Sequence, residues 1–264
     1  MKKKIVVFDV DETLGYFTQL GVFCDCLDKY FKDKEYANKN FNEILELCHE
    51  FIRPKLLPTL EFLKNKKKEK KCYKVMIYTN NQGPRIWVEN LKDYFDHKLN
   101  YKLFDQIIAA FKVRGEIVEL GRTSHDKSVE DLFRCTQLPK DVEICFIDDI
   151  FHPKMEDEKV YYINVKPYHY YLSFSTFLLR FINSKLGKEV KHDPNFISVM
   201  NNIYSRYKFN EDIKNKKEHE IDEIVGKKMF QHIKQFFYEN NNQTLKRKKK
   251  THKQKSIRRK LSSP

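Results

Sequence analysis

The 264-residue chain predicts an α/β fold in three layers, a central parallel sheet with helices on both faces. Two observations carry this. Three short runs rich in Val and Ile each stop at a polar residue, and the stretches between them repeat apolar residues at helical spacing. A run that is apolar at every position is a strand buried on both faces, which is the pattern of a parallel sheet.

Ile5-Val6-Val7-Phe8 is the first such run, and Asp9-Val10-Asp11-Glu12-Thr13-Leu14 follows it, placing two carboxylates two residues apart at a strand end. Ligands of these sheets bind beyond the carboxyl ends of the strands. One Asp there can be a nucleophile and the other a proton donor, because different environments push two carboxyl pKa values apart. Phe23 to Phe31 and Phe41 to Phe51 have helical spacing, and Pro58 to Lys64 reads as a further helix. Lys64 to Lys74, with seven lysines and one glutamate, reads as a solvated helix-to-strand loop, a phosphate-binding patch being the alternative. The second run, Val75-Met76-Ile77-Tyr78, stops at Thr79 and Asn80, and the Thr79 hydroxyl is suited to a phosphoryl oxygen. Trp87, Val88, Leu91 and Tyr94 mark a helix after Pro84, and Phe104 to Phe111 is a candidate strand. His125 to Phe133 opens polar and turns apolar-periodic, a helix start, and Lys127 within it can offset phosphoryl charge. The third run, Glu143 to Ile147, ends at Asp148 and Asp149, adjacent carboxylates that repel unless a hard cation such as Mg²⁺ lies beside them. Arg85 and Arg122 read as surface residues, with a phosphate contact as the alternative.

Composition bounds the rest. The length suits one catalytic domain with extensions and leaves no room for two. Of the net charge of +14, ten units come from Lys246, Arg247, Lys248 to Lys250, Lys253, Lys255, Arg258, Arg259 and Lys260, so the body carries only +4. That segment predicts a disordered basic tail over 241–264, serving as a nuclear-import signal, a nucleic-acid anchor or a solubilising end. Before it, Ile221, Ile224, Val225, Met229, Ile233, Phe236 and Phe237 form one apolar helical face, expected to pack on the body or on a partner. The six cysteines include no Cys-x-x-Cys pair and read as reduced thiols. Asp9 cuts the first apolar run too early for a signal peptide, and no run reaches membrane-spanning length. The protein is expected to be intracellular, cytoplasmic or nuclear, with no membrane partner.

Taken in order, the four motif segments resemble the haloacid dehalogenase-like superfamily of phosphohydrolases, over roughly residues 4 to 180. The resemblance implies a Rossmann-like core over 1–185; beyond it the motifs stop, and the helical spacing predicts a helical extension over 186–240. It implies that Asp9 is the nucleophile forming an aspartyl-phosphate and that Asp11 is the general acid and then the base. Thr79, with Asn80, would position the phosphoryl group and Lys127 would offset its charge. Asp148 and Asp149 would complete a Mg²⁺ site with Asp9 and the backbone carbonyl of Asp11. About 36 residues separate Leu14 from Phe51 and fewer than fifty separate Thr79 from Lys127, so the cap is expected to be small or absent and the site open to a macromolecule. Asp9 to Leu14, Tyr78-Thr79, Arg53-Pro54 and Tyr162 to Tyr168 look like the phosphatases of the RNA polymerase II C-terminal domain, the NLI-interacting-factor-like group. That group carries a small residue where this chain has Asn80, and many of its members carry Asn where it has Asp149. Thr79-Asn80-Asn81-Gln82-Gly83 is similar to the second motif of polynucleotide 3′-phosphatases, with one residue inserted. The expected activity is therefore Mg²⁺-dependent hydrolysis of a phosphate monoester on a phosphoprotein. The alternatives are a polynucleotide end phosphatase or a non-catalytic module that binds nucleic acid or protein.

Overall fold

The computed structural model describes residues 2–139, 141–207 and 213–238. The chain runs from β1 (Lys3–Phe8) through α1 (Thr18–Phe31), α2 (Tyr36–Lys39), α3 (Phe41–Glu46) and α4 (Leu56–Lys68) to β2 (Lys74–Tyr78). From α5 (Arg85–Lys98) it passes to β3 (Gln106–Ile108), a small hairpin of β4 (Lys112–Val113) and β5 (Glu116–Ile117), α6 (Val129–Thr136), β6 (Val142–Asp148) and β7 (Val160–Asn164). After these come α7 (Phe174–Ile182), α8 (Phe196–Tyr204) and α9 (Lys216–Tyr238).

Five strands form one parallel sheet in the order β3-β2-β1-β6-β7, flanked by helices, as the apolar runs predict. The chain lays β2 and β3 to one side of β1 and then crosses to lay β6 and β7 on the other. β1 is thus the point where strand order reverses, the place where open α/β sheets leave a crevice. Phe8 lies level with both Ile77 and Ile147, so the three central strands end together and deliver Asp9, Thr79 and Asp148 to one edge.

Side-chain alternation sorts the sheet residues between two cores. Val6, Phe8, Val75, Ile77, Cys145 and Ile147 face the larger one, where Phe23 of α1 stacks on Phe177 of α7 at 4.7 Å. Ile5, Val7, Met76, Tyr78, Ile144 and Phe146 face the smaller one, closed by Leu132 of α6, Leu138 and Met155. Phe196, Met200, Met229, Ile233 and Phe236 also enter the larger core, so α8 and α9 share it with the sheet.

Three expectations change. The lysine-rich stretch 64–74 is not a loop throughout, because α4 continues to Lys68. Some of its cations are also engaged: Lys67 meets Asp105 at 2.8 Å, and Lys66 and Lys71 share Glu69. The candidate strand 104–111 shrinks to three residues, since β3 lies at the sheet edge and pairs with β2 alone. On α9 the buried stripe is Asp222, Gly226, Met229, Ile233 and Phe236, while Ile224 is half exposed. Gly226 sets that rotation, for a Cβ there would fall 2.1 Å from the Pro54 carbonyl oxygen. The expected tail over 241–264 lies outside the described residues.

Candidate active site

The turn after β1 folds back on itself through Glu12, whose φ of 59° is left-handed, so that Glu12 N–H donates to Gly15 O at 2.7 Å. Arg53, 1% exposed, holds this turn from beneath: its Nε donates to Thr13 O at 2.6 Å, and its Nη2 donates to Glu12 O and to Lys166 O. A buried guanidinium with several carbonyl acceptors is satisfied without a carboxylate partner.

Carboxylate oxygens of Asp9, Asp148 and Asp149 lie within 4.8 Å of one another. Lys127, 1% exposed, bridges two of them, donating to Asp9 Oδ1 and to Asp148 Oδ2, the latter at 2.7 Å. It sits one residue before the Ser128 N-cap of α6, whose Oγ accepts from Asp131 N–H at 3.1 Å. A buried ammonium is tolerated only with such partners. Thr13 fastens the turn to the end of β6, its Oγ1 donating to Asp149 Oδ1 at 2.8 Å and accepting from Asp149 N–H at 3.0 Å. Buried His152 brings Nε2 to 3.5 Å from Asp148 Oδ2.

Asp11 belongs to a second, polar arm. Asn81 Nδ2 donates to Asp11 Oδ2 at 2.8 Å, Asn81 Oδ1 accepts from Gly83 N–H at 2.8 Å, and Asn81 N–H donates to Thr79 Oγ1 at 3.0 Å. Thr79 therefore joins the group through Asn81. Asn80 is half-buried, and its Oδ1 has no hydrogen-bond partner. Arg122 is not a surface residue: 3% exposed, it donates to the carbonyls of Thr79, Ala109 and His125 and so supports the end of β2 from inside. Arg85 is exposed and pairs with Glu89 at 2.9 Å.

Charge is unbalanced here, with four carboxylates against one lysine. Burial pushes Asp9 up to about 7, Lys127 opposing and Asp148 and Asp11 adding to the rise. Burial also raises Asp11, against the hydrogen bond from Asn81 and the charge of Lys127. Asp149 rises through burial, opposed by Thr13 and helped by Asp148. Burial works against Asp148 as well, yet His152 and Lys127 together hold it below the ordinary carboxylate range. A cluster of hard oxygen donors with excess negative charge fits a cation such as Mg²⁺, and Asp9, Asp148 and Asp149 are the residues that would hold it.

Asp9, Asp11, Thr79, Lys127, Asp148 and Asp149 come together at this edge of the sheet, with Asn80 following Thr79, whereas Arg85 does not. Thr13, Asn81 and His152 were given no role there. The Asp-x-Asp-x-Thr string and the Asn pair after Thr79 were the available signals for the first two, while His152, four residues beyond Asp148, had none. No protein-family model, no curated protein and no solved structure matches the chain.

Proposed function

We propose that this chain is a Mg²⁺-dependent phosphatase of the haloacid dehalogenase-like type, hydrolysing a phosphate monoester on a phosphoprotein through an aspartyl-phosphate. The observation that carries this reading is the buried Asp9–Lys127–Asp148 bridge at the sheet's switch point, with Asp11 two residues beyond Asp9 and separately oriented by Asn81. A module that only binds has no use for a second, desolvated carboxyl beside the first.

In the first half-reaction a carboxylate oxygen of Asp9 bonds to phosphorus while the bond from phosphorus to the ester oxygen breaks. The electron pair leaves with that oxygen, which takes the proton of the Asp11 carboxyl. Burial, by raising Asp11, shifts it toward the protonated form this step needs. The Lys127 ammonium and the Thr79 hydroxyl supply donors to the phosphoryl oxygens, with Asn80, next in the chain, as a further amide donor. In the second half-reaction Asp11, now a carboxylate, takes a proton from water as the water oxygen bonds to phosphorus, releasing phosphate and free Asp9. A bound Mg²⁺ would neutralise charge on the phosphoryl group and favour the ionised form of Asp9.

Asp9→Asn keeps the size of the side chain but removes the nucleophile. Turnover of p-nitrophenyl phosphate with Mg²⁺ is expected to fall by at least about 10³-fold, with the far-ultraviolet circular dichroism unchanged. Wild-type turnover in this variant would end the assignment. A screen of phosphoserine peptides beside 3′- and 5′-phosphorylated oligonucleotides then decides the substrate class.

A further inference from the structure

Beside Asp11 the structure holds a cavity of about 580 Å³. Asp11 and Asn81 form one end of it, and α1, α2 and the start of α5 form the walls. Its size lies in the range of pockets that bind small organic groups. Gly21 on α1 faces the Trp87 ring, which a Cβ there would meet at 3.6 Å. Phe17, Phe41 and Trp87 supply aromatic lining, with Phe41 and Trp87 edge to face at 5.3 Å. The walls are tied together, because Asn90 Nδ2 on α5 donates to Asn38 Oδ1 on α2 at 2.9 Å and Ala37 N–H donates to Asp28 Oδ1 at 2.8 Å.

The charge of the lining is one-sided. Asp25, Asp28 and Glu35 face it along with Asp11, against the single cation Lys34, and Lys29 offsets Asp25 from outside at 2.6 Å. Position and charge together restrict what can enter. The group beside Asp11 is the one that receives the Asp11 proton, so this cavity lies on the leaving-group side of the scissile bond. A polyanionic leaving group would meet like charge there, whereas a cation would meet carboxylates and the faces of aromatic rings.

Resting on the phosphatase reading, we propose that this cavity selects a phosphate monoester whose alcohol carries a positive charge on a partly apolar frame. A phosphoserine or phosphothreonine flanked by Arg or Lys has this chemistry, as does a free amino-alcohol phosphate, and a polynucleotide end does not.

The test uses the full chain with Mg²⁺ and compares kcat/KM for phosphoserine peptides identical except for Arg or Glu beside the phosphoserine. Phosphoethanolamine, phosphocholine, a 3′-phosphorylated oligonucleotide and p-nitrophenyl phosphate complete the set. The Arg peptide is expected to exceed the Glu peptide by about tenfold, shrinking with added salt. In the double variant Asp25→Asn/Glu35→Gln that ratio should collapse toward unity, with the far-ultraviolet circular dichroism unchanged. The amino-alcohol phosphates against the Arg peptide then tell which source of the cation the cavity prefers. Equal rates for the two peptides, a preference for Glu or for the oligonucleotide, or an unchanged ratio in the double variant would overturn the assignment of the cavity alone. Failure to hydrolyse any member of the set would instead overturn the phosphatase reading, and the cavity's role with it.

Discussion

At the scale of single residues, the two carboxyls of the first motif are set apart by their partners. Lys127 contacts Asp9, whereas Asp11 receives only an amide hydrogen bond from Asn81. Asp11→Asn should therefore lower turnover by about 10²-fold or more, and more for an alkyl phosphate than for p-nitrophenyl phosphate, whose leaving group needs little protonation. Equal losses on both esters would count against the acid role. Titration of Asp9 gives a second expectation. Its folded value of about 7 lies above the ordinary carboxylate value of about 4, so the folded state binds the proton more tightly than the unfolded chain does. The stability this contributes is complete below about pH 4 and is lost as pH rises through about 7. Asp148 is shifted the opposite way, so its contribution is already complete by about pH 5 and adds no slope above it. Without metal, the melting temperature of the wild type should fall between pH 5 and pH 8 relative to Asp9→Asn, whose amide does not titrate. Millimolar Mg²⁺ should reverse that fall, because a cation bound by Asp9, Asp148 and Asp149 favours the ionised state and stabilises by mass action. Parallel pH profiles for the two proteins, or an unmoved melting temperature on adding Mg²⁺, would contradict this account.

At the scale of elements, α9 reaches the site without touching it. Gly226 packs against the Pro54 carbonyl, Lys55 pairs with Glu223 at 3.2 Å, and Arg53, next in the chain, holds the Glu12 and Thr13 carbonyls of the first-motif turn. An isolated helix gains about 1 kcal/mol when Gly becomes Ala, yet here a methyl group has no room beside the backbone. Gly226→Ala should therefore lower the melting temperature and reduce kcat, while Ile224→Ala on the exposed side of α9 should change neither. If Gly226→Ala melted no lower than wild type, the close approach to Pro54 would not be what docks the helix. This contact also marks what the sequence could and could not reveal. The buried strands were legible because Ile5 to Phe8, Val75 to Tyr78 and Ile144 to Ile147 are apolar at every position, which only a doubly covered sheet demands. The side chains brought to the sheet edge were legible for the same reason, since each motif follows a strand directly. The facing of α9 was not, because its apolar pattern is broad and the rotation is decided by one glycine meeting a distant backbone. Nor was the partnership of Asn81 with Asp11, which lies 70 residues away in sequence.

For the whole molecule, the distribution of charge separates two kinds of phosphate contact. Ten cations lie after Leu245, whereas the carboxylates and Lys127 of the candidate site all precede Ile150. Among the described residues no helix is long and apolar enough to cross a membrane, and the lysines of α4 are largely paired within the fold. The basic segment therefore carries ten of the fourteen units of net positive charge. Counterion release makes such binding fall steeply with salt, by about one unit of log–log slope for each phosphate neutralised. The proposed reaction, in contrast, works on one phosphoryl group held by short contacts and gains nothing from distant cations. Removing residues 245–264 should leave p-nitrophenyl phosphate hydrolysis within about twofold of wild type while weakening RNA and DNA binding and flattening its salt dependence. The measurement is a pair of salt titrations, full chain against truncated, by fluorescence anisotropy on one oligonucleotide. An unchanged slope would move the nucleic-acid contact onto the folded body, where Lys68, Lys70 and Lys74 near the start of β2 would be the cations to replace next.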